Sequence, residues 1–488
     1  MRYPATLILG AATVLSACAA GPDYRAPQTA SLGVPATYYG EAAGAKPAPS
    51  PAPSDADLAQ WWTRLNDPTL DGLIQKAVAN NLDIAQAQAR LRQAREALVQ
   101  ANAAFFPQIN ASGSAGKNYR SGTSGFQLDS NGNVIGSSAN RWSSAYSAGA
   151  DASWEVDLFG GIRRSSEAAR ADYTASGFDL ASTRTAIISE LVSNYVQARL
   201  GQEQLRIAKE TLANQQDNYD IARWRLQAGL VSSLDQEQAR AQLAQTTATV
   251  PQIENSVRAA LNRIAVLTGE APGEATRALE QAKPIPAAQN DIAIGIPADT
   301  LRQRPDVRAA ERTLAAATAR IGVAQAALYP SLSISGNIGT SATAFRDLTD
   351  IVTGGVFGRI AQTIFDGGRL RAQVRSQRAA TDAAFAAYKS TVLTSLEDVE
   401  NGMAALSAAQ QRAEQFAIAY EASNNSAILA RSQYQAGLTD FQTLLTAEQT
   451  LLSARNSLAG AQSDQVLAVS QLYSALGGGW QTMDGRPQ

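Results

Sequence analysis

Apolar residues recur along this chain with two periods, and the switch between them divides it into elements. From Pro68 to Phe105 the spacing is three to four, with Leu70, Leu73, Ile74, Ala77 and Val78 on one stripe, which predicts a helix. Asp67 before Pro68 reads as its N-cap and first-turn pair, and Phe105-Phe106-Pro107 as its stop. The period then falls to two. In Trp142–Leu158 the even positions are Trp142, Ser144, Tyr146, Ala148, Ala150, Ala152, Trp154, Val156 and Leu158, while the odd ones are mostly polar. Ile109, Ala111, Gly113 and Ala115 alternate with Gln108, Asn110, Ser112 and Ser114 in a weaker preceding strand, and the Gly/Ser/Asn-rich stretch 120–140 reads as the loop between them. After Gly160-Gly161 the helical period resumes and runs without proline for about 60 residues, or roughly 90 Å. Within it Ile187, Ile188, Leu191, Val192, Tyr195 and Val196 form adjacent pairs every four residues, a stripe broad enough for two neighbouring helices. Ala228-Gly229-Leu230 ends this helix, and a return helix is expected from about Ser233 to Leu267 with a kink at Pro251.

The pattern then repeats. The segment 81–107 aligns without gaps to 304–330 at a constant offset of 223 (330 − 107), and Ala-Gly-Leu recurs at Ala436-Gly437-Leu438, an offset of 208 (437 − 229). Leu332, Ile334 and Ile338 alternate with Ser331, Ser333, Ser335 and Asn337, and a fourth strand is expected over 352–365. Each half therefore reads as helix, β-hairpin, long helix, Ala-Gly-Leu turn, helix. Four strands, apolar on one face and aromatic near their ends, suggest a membrane barrel, yet a barrel needs about eight or more. Several copies would have to contribute, so a homo-oligomer is expected.

Composition narrows the chemistry. Charged residues make up 17% of the 488, the net charge is −2 and no long basic or acidic run appears, which argues against nucleic acid as the main partner. There is no histidine and a single cysteine, so the usual metal sites and nucleophile–base pairs are largely unavailable and an enzyme is not expected. The cysteine sits in Leu15-Ser16-Ala17-Cys18 after a short basic start and an apolar run, which resembles the lipobox of bacterial lipoproteins. That resemblance implies removal of residues 1–17, lipid attachment at Cys18 and, with Ala19 following, sorting to the outer membrane.

Taken together, Leu-Ser-Ala-Cys at 15–18, Gly21-Pro22-Asp23-Tyr24, Trp61-Trp62 with Asp67-Pro68-x-Leu70, Asn81-x-Asp83, Phe106-Pro107, Asp157-Leu158-Phe159-Gly160-Gly161 and the two Ala-Gly-Leu turns resemble the TolC-like outer-membrane factors, NodT-type lipoprotein subgroup. The resemblance implies a mainly α fold with a β membrane barrel: a homotrimer whose twelve strands form one outer-membrane barrel, continued by a trimeric α-helical barrel of long hairpins. On that basis the chain divides into the signal peptide 1–17, a tether 18–60, a first repeat 61–269 (strands about 107–120 and 142–158, tip about 228–233), a linker 270–297, a second repeat 298–476 (strands about 330–340 and 352–365, tip about 436–441) and a tail 477–488.

The implied partners are a periplasmic membrane-fusion adaptor, an inner-membrane transporter of the proton-driven efflux type and outer-membrane lipid. No cofactor or metal is implied beyond the lipid on Cys18. By motif position Gly229, Leu230, Val231, Gly437, Leu438 and Thr439 would contact the adaptor. Asp235, Asp440, Thr443 and Thr446 are the candidates for a periplasmic aperture, and Trp142, Tyr146 and Trp154 for an aromatic membrane girdle. Relatives often carry aspartates six and nine residues past the tip glycine; here the second turn has Thr443 and Thr446 at those places. The implied function is the exit duct of a tripartite efflux system. The alternatives are a type I protein-secretion duct and a lipid-anchored coiled-coil scaffold without a pore.

Overall fold

The computed structural model describes residues 19–38, 58–120, 123–128, 131, 134–138, 141–273, 279, 281–287 and 303–480. Cys18, the segment 1–17, residues 39–57 of the tether, most of the linker and the end of the tail lie outside the described residues. In chain order the elements are α1 (Pro68–Asn80), α2 (Leu82–Ala103), β1 (Gln108–Arg120), β2 (Thr123–Leu128), β3 (Val134–Ser138), β4 (Arg141–Val156), α3 (Gly161–Gln227), α4 (Ser233–Leu267), α5 (Pro305–Ala326), β5 (Ser331–Ala342), β6 (Val352–Ala361), α6 (Arg369–Gln435) and α7 (Phe441–Ala475). The duplication is metrically regular: α3 and α6 each have 67 residues, α4 and α7 each have 35, and α2 and α5 each have 22. The chain forms two compact units, each drawing on both repeats. One takes in the described residues up to Arg25 with Ala94–Tyr173 and Thr313–Phe385; the other takes in Ala26–Gln93, Thr174–Arg312 and the described residues from Ala386 onward.

The first unit holds the strands. Its main sheet is antiparallel in the order β1-β4-β5-β6, which leaves β1 and β6 as edges. The register aligns the apolar positions of all four strands. Ala111, Ala150 and Ile338 are directly paired across three strands, as are Ile109, Ala152 and Gly336. Trp154 faces Ile334 and Val156 faces Leu332, which in turn faces Ile360. Asn110, Asp151 and Asn337 are paired on the opposite face, as are Ser114, Ser147 and Ser341. Because successive side chains alternate between faces, one face is apolar and the other polar.

Three expectations need correction here. The stretch 120–140 is not a plain loop: β2 and β3 pair as a two-stranded antiparallel ribbon within it, which Gly, Ser and Asn had masked as turn residues. Strand β6 ends at Ala361 rather than near 365 because its partner β5 begins at Ser331, which pairs with Ala361 directly after Pro330. The Pro68–Phe105 run is two helices, broken at Asn81.

The second unit carries the main apolar core. Trp61 stacks on Tyr473 at 5.3 Å and joins Leu70, Ile74, Leu191, Val192, Val196, Ile264, Val399, Val469 and Leu472, all buried. The break at Asn81 is built by its side chain: Oδ1 accepts from the Asp83 and Ile84 amides, capping α2, while Nδ2 donates 2.9 Å to the Leu267 carbonyl at the end of α4. In the second repeat Arg304 occupies the equivalent position (81 + 223) and donates 3.0 Å to Ala475, the equivalent carbonyl (267 + 208). Two residue types thus close the same helix end. Asn81→Ala should lower stability by about 2 kcal/mol, since a cap and a buried hydrogen bond are both lost; chemical denaturation of the detergent-solubilised protein measures it. At the start of α1, Asp67 accepts from Thr69 and from the Tyr195 hydroxyl, which also receives the Arg199 guanidinium. Burial opposes the charge on Asp67, but these hydrogen bonds outweigh it and hold the carboxyl below its ordinary range.

Candidate functional site

The helical hairpins end in two equivalent turns. At the first, Gly229 takes φ +72°, its amide donates to Leu226 and the Leu230 amide donates to Arg225. At the second, Gly437 takes φ +75°, with Gly437 bonded to Tyr434 and Leu438 to Gln433. Both are Schellman closures, which require a left-handed residue and so favour glycine. They leave Leu230 and Leu438 projecting, 73% and 78% exposed, while Val231 and Thr439 are half-buried.

The aperture candidates fall into distinct roles. Asp440 caps α7 by accepting from the Thr443 amide at 2.8 Å, so these two are brought together; Thr443 itself is exposed. The hydrogen bonding with Thr443 holds the Asp440 carboxyl below its ordinary value. A carboxyl depressed on folding stabilises the tip fully above the ordinary value of 3.8 and loses that contribution as pH falls through its lower folded value. Thr446 is exposed and turns its hydroxyl onto the Gln442 carbonyl of its own helix. Asp235 lies in the first turn of α4, where Ser232, the cap residue, makes no side-chain capping bond. Asp440→Ala therefore removes a cap as well as a charge, whereas Asp440→Asn removes only the charge. If Asp440 sets ion preference, single-channel recordings should show the same loss of cation preference in both variants, with faster tip exchange in Asp440→Ala alone.

Sequence reasoning missed what holds the two tips together. The Arg225 guanidinium lies 4.5 Å from the Tyr434 ring centroid and donates to the Tyr434 and Gln435 carbonyls at 3.0 and 3.1 Å. A cation there also meets the negative end of α6. Tyr434 packs edge-on against Phe441 at 5.6 Å, among buried Ala222, Ala239, Ala430 and Leu444. Further along the same helices the buried carboxylate of Glu448 accepts from Arg431 at 2.8 Å and Asn218 at 2.7 Å. Subtracting the repeats would have flagged these residues: Arg225, Tyr434, Phe441 and Glu448 align with Gln433, Leu226, Ser233 and Arg240 at offset 208.

The sheet supplies the other surface. Its apolar face is open, with Ile109, Ile338, Val352, Val356 and Ile360 all exposed. Trp142 packs tilted against Tyr119 at 4.9 Å at one end, Trp154 donates to the Phe105 carbonyl at the other, and Tyr146 meets Phe345 at 5.9 Å. The twelve residue steps from Trp142 to Trp154 span roughly 40 Å of strand; at a tilt of about 40° this projects to roughly 30 Å, the thickness of a hydrocarbon core. The polar face is hydrogen-bonded across strands, Asn110 to Asp151 and Ser114 to Ser147. Among the described residues no group of three His, Cys, Asp or Glu could hold a metal ion.

A sheet with one apolar and one polar face, continuous with long helical hairpins, is the architecture of a membrane channel protein. The outer membrane efflux protein family matches residues 73–270 and 296–478, and the chain belongs to that family. Nodulation protein T of Rhizobium leguminosarum bv. trifolii is 30% identical over 87% of this chain and 86% of its own. The pyoverdine export outer membrane protein OpmQ of Pseudomonas aeruginosa is 30% identical over 97% of each. Among solved structures, the outer-membrane channel OprN superposes with a TM-score of 0.83 at 35% identity, covering 95% of this chain and all of that one. The open MtrE channel of Neisseria gonorrhoeae superposes at 0.78 and 25% identity, over 95% and 99%. The fold is that of the TolC-like channels, and the chain is an outer-membrane efflux channel serving as an exit duct, in a family of channels rather than enzymes.

Proposed function

We propose that three copies close one twelve-stranded barrel, with the polar faces lining a wet passage and the apolar faces meeting lipid. The observation that carries this reading is the four-stranded sheet, amphipathic in register and unpaired along β1 and β6. Four strands are too few to close a barrel and an exposed edge invites pairing, whereas three sheets joined edge to edge satisfy both. Trp142, Tyr146 and Trp154 would sit in its girdles. Cys18 would carry the lipid that adds a second hold on the outer membrane.

The hairpin tips are the docking end. Gly229, Leu230, Val231, Gly437, Leu438 and Thr439 would meet a periplasmic adaptor, which links the duct to a proton-driven inner-membrane transporter; exposed leucines on rigid turns suit that contact. Relatives are named for pyoverdine export and for toluene efflux in Pseudomonas putida, a spread of cargo that supports selection by the transporter and passive conduction by the duct. Planar-bilayer recording of the purified trimer should give discrete conductances, and loss of the gene should sensitise cells to small toxic compounds. Silence from well-folded trimers even with the tip loosened, or loss of protein secretion without sensitisation, would overturn the reading.

A further inference from the structure

One buried cation takes no part in the duct or the tips. Arg164, in the first turn of α3, is 5% exposed. Its guanidinium donates to the Ala20 carbonyl at 3.2 Å, the Gly21 carbonyl at 3.4 Å, the Asp23 carboxylate at 2.6 Å and the Glu167 carboxylate at 2.7 Å. Three of these four acceptors belong to residues just beyond Cys18. The Ala20 amide in turn donates 2.9 Å to the carbonyl of Phe159, in the turn between β4 and α3.

The backbone around this contact is shaped for it. A Cβ on Gly160 (φ +79°) would lie 2.9 Å from the Ala19 Cα, and one on Gly21 (φ +96°) would lie 2.4 Å from the Gly322 Cα. A Cβ on Gly322 would meet the Ala20 carbonyl oxygen at 2.6 Å and the Arg164 side chain at 2.7 Å. Gly160 and Gly322 thus leave a slot one backbone wide, and Gly21 lets the segment in it lie close against α5. Gly322 lies in α5, where alanine would otherwise be the better helix former by about 1 kcal/mol, so its presence is a helix cost offset by the approach it permits.

We propose that Arg164, Gly160 and Gly322 form a seat for the chain's own strap, Ala19–Asp23, and that the seat sets the level at which Cys18 meets the membrane. The strap crosses from the β4–α3 junction of the first repeat to α5 of the second. Phe159 stacks on Tyr329 at 4.8 Å across the same two repeats, and Trp154 anchors to Phe105 at this end of the sheet. An acyl chain on the residue before Ala19 would enter the leaflet beside these aromatic rings, where amphipathic side chains mark a membrane interface. Arg164 is a positioning residue: it acts on the anchor only through the strap. The part that concerns lipid rests on the Cys18 reading above; the seat does not.

Hydrogen exchange on the full-length protein in liposomes tests this, read at the Ala20 amide and, as an internal control, at the Ala150 and Ala152 amides of the sheet. In Arg164→Ala the Ala20 amide should exchange at least about tenfold faster, and the strap should become cleavable by added protease, with the sheet amides unchanged. Gly322→Ala should do the same while leaving every hydrogen-bonding group of the seat in place, and Arg164→Lys should restore protection only in part, because a point charge cannot serve four acceptors. Unchanged Ala20 protection in both alanine variants would overturn the seat. Loss of sheet protection in step with Ala20 in both would reduce Arg164 and Gly322 to general structural residues and overturn it equally. Mass spectrometry of the wild-type N-terminal peptide separates the two ideas: a peptide without acyl chains refutes the lipid reading and, with it, the membrane level assigned to Cys18, while the exchange data still decide the seat.

Discussion

Tyr434→Ala is expected to loosen the second hairpin tip and to raise single-channel conductance. Tyr434 is buried with its ring between the Arg225 guanidinium and Phe441, and its hydroxyl meets no hydrogen-bond partner among the described residues. The side chain therefore contributes through packing and the cation over its face. Truncating a buried aromatic costs about 3–5 kcal/mol, and the lost cation–π contact accounts for part of that. The main-chain carbonyls that Arg225 reaches remain, so the tip should loosen rather than unfold. Exchange at the Leu438 amide, which closes the turn, should accelerate before exchange in the rest of α6. Tyr434→Phe is the matching control: it removes a buried unpaired hydroxyl and should be neutral or slightly stabilising. A loosened tip with unchanged conductance would place the narrowest point of the duct elsewhere.

The tip also shows which parts of the molecule can be read from a sequence. Gly229 and Gly437 were legible because a Schellman closure depends on the conformation of one residue, and glycine announces it locally. The stripe from Ile187 to Val196 was legible because a helix buried on a broad face writes its burial into consecutive turns. Arg225 and Tyr434 were not, being 209 residues apart, each ordinary in its own helix. The strap is the same case: Gly21, Arg164 and Gly322 acquire meaning only when the fold brings them together. Asn81 was hidden for another reason. The apolar period runs across it, and a capping side chain that is itself buried leaves no change in hydrophobicity to mark the break. Phe357 marks the limit of alternation as evidence: it pairs with Ser335 on the polar face, its ring lying over Gly355. Like the small Ala145 and Ala361 on that face, it does not undo a register on which Ile109, Ala150, Trp154, Ile334, Ile338, Val356 and Ile360 agree.

That register makes neighbouring residues of β4 respond oppositely to the same substitution. Ala150→Arg should abolish heat-stable oligomer in the outer membrane, whereas Asp151→Arg should preserve assembly and shift ion preference toward anions. Ala150 is paired with Ala111 and Ile338 in the middle of the apolar face. An arginine at the bilayer midplane of such a face costs about 2–4 kcal/mol per chain, and if three chains close one barrel the cost is incurred three times. Asp151 is paired with Asn110 and Asn337, and its carboxylate accepts from Asn110 at 3.1 Å. An arginine there stays among polar groups on the wet face, so the loss is one exposed hydrogen bond while the local charge changes by two units per chain. Oligomer yield on unheated gels reads the first effect, and reversal potential under a salt gradient reads the second. Equal loss of assembly in both variants would mean that the two faces do not meet different solvents, and the barrel would have to be abandoned. Assembly of both, with selectivity altered only by Ala150→Arg, would mean that the sheet is inserted with its faces reversed.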